Sequence, residues 1–380
     1  MTLKKFKVCF ILIALANSYP LTAQAYLPYN LEVGIHKNIF LHKINFPNEY
    51  SSFPLGLSIV YWRDLGTQQV KNDVEIIQLN KYKSLFNKMY NYPQVGVYFN
   101  YLTQMHEDLG SGYTLGATTD IGVCQKKSNY ISIRPKIGLS FITNRYDETN
   151  NTKNIYIGSF INLNIGFGVF YTTQAPIHTL KLGVELNHFS NGAIKFPNNG
   201  LNVASLGISY QFGSVLYPWV KSERMQLQEV YRSGIVADTN HLKIQFSGFT
   251  KQYRANSASY FGVNFAAIYT QPLNLWLDAE AKFNLSIDPS RGAELTHLSK
   301  KASNNLRSGI SFGFTNHIHR LDLHANAGLY IYKPDIDLDQ FWFQNYQLDY
   351  KISKKMYTFV GITAHGKEVD FLDIGLGCRL

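Results

Sequence analysis

Arg320-Leu321-Asp322-Leu323-His324-Ala325-Asn326-Ala327-Gly328-Leu329 alternates strictly: odd positions are aliphatic, and every even position but Gly328 is polar or charged. Successive side chains of a strand point to opposite faces, so this is a strand with one oily and one wet side. The run at 273–283 repeats the pattern, with Leu273, Leu275, Leu277, Ala279, Ala281 and Phe283 opposing Asn274, Asp278, Glu280 and Lys282. A face carrying those charges is not a dry sandwich core, and a soluble sandwich would not leave its other face so uniformly aliphatic. A barrel with a polar or water-filled lumen and an apolar outside satisfies both rows. The expected fold is therefore an all-β antiparallel transmembrane β-barrel.

The same rhythm extends over most of the chain. Ile131-Ser132-Ile133-Arg134-Pro135-Lys136-Ile137-Gly138-Leu139-Ser140-Phe141 keeps its apolar residues odd, with Pro135 a blemish that removes one ladder donor. Up to sixteen strand segments can be marked, eight between residues 31 and 213 and eight between 241 and 380. One of them is expected over 156–173, and 271–272 is expected to be a tight turn. A single ring of about 14–16 strands is the leading arrangement, and an eight-stranded barrel plus a second β unit is the alternative. If both termini are periplasmic, the short connections fall on the periplasmic side and the longer ones outside. The segments 64–93 and 214–239 break that rule.

Residues 1–25 are set aside as a signal peptide: Lys4, Lys5 and Lys7 precede the apolar run Val8 to Ala16, and Ala23-Gln24-Ala25 forms a small-x-small cleavage signal. That run is too short to span a bilayer as a helix. Barrel strands with the candidate site are then expected over 26–213. A linker follows over 214–239, with a short helix at 222–232 capped by Ser222, and further barrel strands fill 240–380. The net charge of +10 fits an exported barrel that meets phosphorylated lipid, not nucleic acid. Outside the leader only Cys124 and Cys378 remain, too few for a disulfide framework or a zinc site, though they leave room for one bridge. His317-Ile318-His319 is a metal-like pair, but it sits in an expected tight turn without carboxylates or thiols, so no metal or other cofactor is expected.

The chemistry concentrates at one strand end. In Leu180-Lys181-Leu182-Gly183-Val184-Glu185-Leu186-Asn187-His188-Phe189-Ser190 the even row is apolar and ends in His188 and Ser190. Parity places both on the lipid side, and an outward-running strand places them near the outer leaflet. Arg134, Lys136 and Lys181 belong to the lumen row. A serine is a weak nucleophile until a base takes its proton, and His188 is placed to do so. An ester's oxyanion also needs donors, which Asn191, Asn198 or backbone N–H groups of Pro197-Asn198-Asn199-Gly200 could supply.

His188-Phe189-Ser190-Asn191-Gly192-Ala193, then Pro197-Asn198-Asn199-Gly200, then Ser209-Tyr210-Gln211-Phe212, resembles the lipid A 3-O-deacylase (PagL-type) family. Lys153-Asn154-Ile155-Tyr156-Ile157-Gly158-Ser159 and the closing Thr363-Ala364-His365-Gly366 look similar to longer acyloxyacyl hydrolase relatives. The resemblance implies an outer-membrane serine esterase of a Gram-negative bacterium that removes an ester-linked acyl chain from lipid A of lipopolysaccharide without a metal. It further implies Ser190 as nucleophile, His188 as general base and Asn198 as oxyanion donor, with Asn191 a second polar partner. The family's third catalytic residue is a glutamate twelve positions after the serine, and this chain has Asn202 there. An amide can orient a histidine but does not neutralise its charged form. A second reading is therefore a catalytically weak or inactive barrel serving as a pore or a surface-binding protein.

Overall fold

The computed structural model describes residues 29–41, 55–64, 93–126, 129–175, 178–212, 240–274, 277–299, 305–318, 320–333, 341–353, 355–366 and 368–380. The expected signal peptide, the 214–239 linker with its helix, and most of 64–93 lie outside them.

Among the described residues sixteen antiparallel strands form, at the sites the alternation marks. They close as two rings of eight, the alternative arrangement, and not as one continuous ring. The first ring comprises β1 (Tyr29–Phe40), β2 (Leu55–Asp64), β3 (Gln94–His106), β4 (Gly110–Lys126), β5 (Asn129–Ile142), β6 (Ile161–Ala175), β7 (His178–Ser190) and β8 (Leu201–Phe212). It closes where β1 pairs β8, Val33 opposite Tyr210. The second comprises β9 (His241–Lys251), β10 (Tyr260–Asn274), β11 (Leu277–Ile287), β12 (Leu306–Ile318), β13 (Leu321–Tyr332), β14 (Trp342–Lys351), β15 (Met356–His365) and β16 (Glu368–Arg379). It closes where β16 pairs β9, Leu376 opposite Phe246.

Two boundaries differ from the sequence reading. Strand β6 begins at Ile161, because 156–160 is drawn into a loop structure of its own, and β10 runs on through 271–272, where a tight turn was expected, to Asn274. A helix that the alternation did not announce, α1 (Pro289–His297), sits between β11 and β12. Asp288 caps it, its Oδ1 accepting the Ser290 N–H at 3.1 Å, and Pro289 opens the first turn.

An eight-stranded barrel has an interior just wide enough for side chains. The lumen rows accordingly meet as ion pairs. Arg134 bonds Glu32 at 2.8 Å and Asp120 at 3.0 Å, while its guanidinium lies 3.9 Å from the Phe170 ring centroid. Lys181 bonds Asp120 at 2.6 Å, and Lys136 pairs with Glu185. Trp62 Nε1 donates to Glu32 at 2.8 Å. All of these are buried. In the second barrel His324 lies between Glu280 (2.6 Å) and Asp349 (3.0 Å). A bore filled in this way is polar-packed rather than open, which argues against the pore reading. His317 does have carboxylates, contrary to expectation: folding brings Asp278 (3.0 Å) and Asp322 (2.7 Å) to its two ring nitrogens. His319 lies outside the described residues. Cys124 and Cys378 stand in different barrels, and both are free.

Candidate active site

Strand β7 keeps the parity read from its sequence. Leu180, Leu182, Val184 and Leu186 are exposed on the outer surface, whereas Lys181, Glu185 and Asn187 are buried in the lumen. His188 continues the outer row. It stands between Ile165 of β6 and Asn202 of β8, each its direct cross-strand partner. Opposed residues of an antiparallel pair bring their Cβ atoms to within about 5.5 Å. Here they meet through their polar ends, His188 Nδ1 to Asn202 Oδ1 at 2.7 Å. With that oxygen as acceptor, Nδ1 carries the proton and Nε2 keeps its lone pair. Glu185 faces the lumen and is not available to the imidazole.

Ser190 ends the strand and is buried beneath the loop that follows it, with 7% of its surface exposed. Its Oγ donates to Asn198 Oδ1 (3.2 Å) and accepts from Asn198 Nδ2 (3.0 Å) and the Gly192 N–H (3.2 Å). Asn198 Oδ1 also accepts the Asn191 N–H at 3.1 Å. The Asn191 side chain does a different job: its Nδ2 donates to Lys195 O at 2.8 Å and closes the loop on itself. Among the described residues no hydrogen bond joins His188 to Ser190. The folded chain thus assembles two pairs, His188 with Asn202 and Ser190 with Asn198, side by side on one face.

The loop owes its path to three glycines. Gly192 has φ 65° and Gly200 φ 69°, the left-handed region that L side chains rarely occupy. A Cβ on Gly200 would lie 2.5 Å from His188 Cε1, so the bare backbone is what lets the chain pass over the imidazole. A Cβ on Gly158 would lie 2.6 Å from Pro197 O. That glycine belongs to the 143–160 loop, which supports the site loop from the side: the Gly200 N–H donates to Tyr156 O at 3.2 Å. Asn154, fully buried, fixes this support, its Oδ1 accepting the Ile157 N–H (3.0 Å) and its Nδ2 donating to Asp108 O (3.1 Å). Burial pushes the Tyr156 phenol up, which keeps it neutral beside the loop. Leu102, Met105, Leu109, Ile157, Phe189 and Leu201 pack beneath as a buried apolar cluster. Sequence reasoning on catalysis gave no role to Asn154, Gly158 or Gly192. The segment 153–159 had carried the family resemblance, and that was the available signal.

Two closed antiparallel rings with aliphatic outer rows and polar bores define a β-barrel of the outer-membrane type, here in tandem. Residues 81–211 match the family model of lipid A 3-O-deacylase (PagL), and residues 240–380 match that of the acyloxyacyl hydrolase C-terminal domain. The two matches fall one in each barrel: a PagL lipid A 3-O-deacylase domain in the first and an acyloxyacyl hydrolase C-terminal domain in the second. Among solved structures it is similar to Neisserial surface protein A (10% identity, 49% of this chain and 97% of that one, TM-score 0.32). It is also similar to the outer membrane enzyme PagL (13% identity, 49% and 99%, TM-score 0.30). No curated protein matches the sequence.

Proposed function

We propose that the protein is a serine esterase of the outer membrane that hydrolyses an ester-linked acyl chain of lipid A. The observation that carries this is the outward-facing end of β7 and β8, where a histidine oriented by an amide stands beside a serine held by a second amide. With both termini on the periplasmic side, β7 runs outward and ends at the outer leaflet, where lipopolysaccharide resides. An acyl chain lying along the exposed Ile165, Phe167, Val184 and Leu186 would bring its ester to Ser190.

In the resting site Asn198 holds the Ser190 hydroxyl. Rotation about the Cα–Cβ bond turns it toward His188, as catalytic hydrogen bonds often tighten only with substrate in place. Oγ attacks the ester carbonyl and its proton passes to His188 Nε2. Asn198 Nδ2 and the Gly192 N–H, freed from the hydroxyl, receive the oxyanion. On collapse the bond from the acyl carbon to the sugar oxygen breaks, and His188 protonates that oxygen. Water then attacks the acyl-enzyme, giving its proton to His188, and the fatty acid leaves with Ser190 restored. Asn202 Oδ1 accepts the hydrogen bond from Nδ1–H throughout and keeps the ring in the working tautomer.

The test compares lipid A by mass spectrometry from cells carrying the wild-type protein, the Ser190→Ala variant, or neither. Loss of one acyl chain with wild type alone is the expected result. An unchanged acyl pattern with folded wild-type protein in the membrane refutes the reading.

A further inference from the structure

The site loop is gripped from outside its own barrel. Gln252 follows β9 of the second barrel. Its backbone N–H donates to Ala193 O at 3.1 Å, and its side-chain Oε1 accepts the Phe196 N–H at 3.0 Å. One glutamine therefore bonds both arms of the turn between 192 and 196, much as a neighbouring peptide unit would in a sheet. Its own orientation is fixed by Nε2 donating to Ser257 O at 2.7 Å, and the residue is buried. Beside it Leu372 of β16 packs against Gly192, where an added Cβ would come within 2.5 Å of Leu372 Cβ.

The turn needs such support. Gly192 and Ala193 are consecutive left-handed residues, with Ala193 at φ 63°. A non-glycine residue in that region is strained and persists only where its surroundings over-determine it. The group that bonds Ala193 O comes from the second barrel. All three contacts that converge on Ser190 Oγ come from the two ends of this turn: one from the Gly192 N–H that starts it, and two from the Asn198 amide, two residues after Phe196.

We infer that the second barrel is a positioning element of the hydrolytic site, with Gln252 holding the 192–196 turn so that the Gly192 N–H and Asn198 stay aimed at Ser190. This rests on the esterase reading given above. Gln252 acts through the loop and touches no reacting atom, so its loss should lower kcat and leave KM in place. A misplacement of about 1 Å in a catalytic array can cost about 100-fold in rate.

The experiment measures lipid A deacylation by the full chain in detergent micelles. Gln252→Ala is expected to lose about 10- to 100-fold in kcat with KM unchanged. Gln252→Glu keeps an acceptor for the Phe196 N–H but loses the donor to Ser257 O, so it should recover part of the rate; Gln252→Met should recover none. Folding of each variant is checked by heat-modifiable gel mobility. Tryptic cleavage after Lys195, inside the gripped loop, should accelerate in Gln252→Ala and Gln252→Met and not in Gln252→Glu. Wild-type kinetics and cleavage in Gln252→Ala, or equal losses in all three variants, overturn the inference while leaving the esterase reading intact. A wild-type protein as inert as Ser190→Ala overturns both.

Discussion

His188 and Asn202 face each other across β7 and β8 with Nδ1 and Oδ1 2.7 Å apart, so the position that the family resemblance assigns to a glutamate is occupied by an amide in the right place. The amide fixes the tautomer and leaves the imidazolium formed during catalysis without a counter-charge. Replacing Asn202 by Glu should therefore raise kcat by about tenfold, less than the roughly 10⁴ that the amide costs in a serine protease triad, because there the amide imposes the wrong tautomer and here it does not. Asn202→Ala should lower kcat by 10- to 100-fold, roughly what a misplaced base costs. Steady-state kinetics on lipid A in mixed micelles decides between these outcomes and a residue with no link to the histidine, for which neither variant would move kcat.

Gly200 is the second point of contact with that imidazole. A methyl group there would meet His188 Cε1 at 2.5 Å and would have to sit at φ 69°. The backbone term alone is about 1–2 kcal/mol. Gly200→Ala should push the loop off the ring, losing most activity, while the barrel itself, whose β7–β8 and β1–β8 ladders begin beyond residue 200, still folds. Retained heat-modifiable mobility with lost deacylation is the expected pair of results; full activity would show that the loop has room to spare.

How legible was all this in the sequence? The strands were legible because each carries its own period-two signal, and lipid outside against charge inside makes that signal strong even where Pro135 interrupts the ladder. One ring or two was not, because alternation is identical whether β8 pairs with β1 or with β9. That choice lives in the register between Val33 and Tyr210 and between Phe246 and Leu376, which no local pattern encodes. The pairing of His188 with Asn202 was half visible, since parity put both on the outer row without giving the register that sets them opposite. Gln252 was invisible, because its partners Ala193 and Phe196 lie more than fifty residues away and offer only backbone atoms.

Arg134 binds the first barrel together from inside, bonding Glu32 on β1 and Asp120 on β4 while stacking on Phe170. Truncating it to alanine leaves two buried carboxylates, Glu32 and Asp120, to share the single charge of Lys181 in a desolvated bore. Removing one partner of a buried ion pair costs about 3–5 kcal/mol. Arg134→Ala should lower the unfolding midpoint of the refolded protein in denaturant by a corresponding amount. Arg134→Ala combined with Glu32→Gln should recover part of the loss, because one of the stranded charges is then gone. Additive losses in the double variant would show that the two residues do not share one network.

Asp288 joins two tasks outside the strands of the second barrel. Its Oδ1 caps α1, and its Oδ2 accepts from Lys251 Nζ and Arg307 Nη2, both at 2.8 Å. Burial pushes its carboxyl up, but Lys251 and Arg307 overcome that and hold it below the ordinary aspartate range. A carboxyl depressed in the folded state contributes stability that is fully present above its unfolded value of about 3.9 and is lost as pH falls through the lower folded value. Asn caps a helix as well as Asp does, so Asp288→Asn isolates the charge from the cap. The variant should melt lower than wild type at pH 7, and the two melting temperatures should converge as pH drops below about 4. Parallel curves from pH 7 to pH 3, followed by thermal denaturation in detergent, would show that the Asp288 charge does not stabilise the fold.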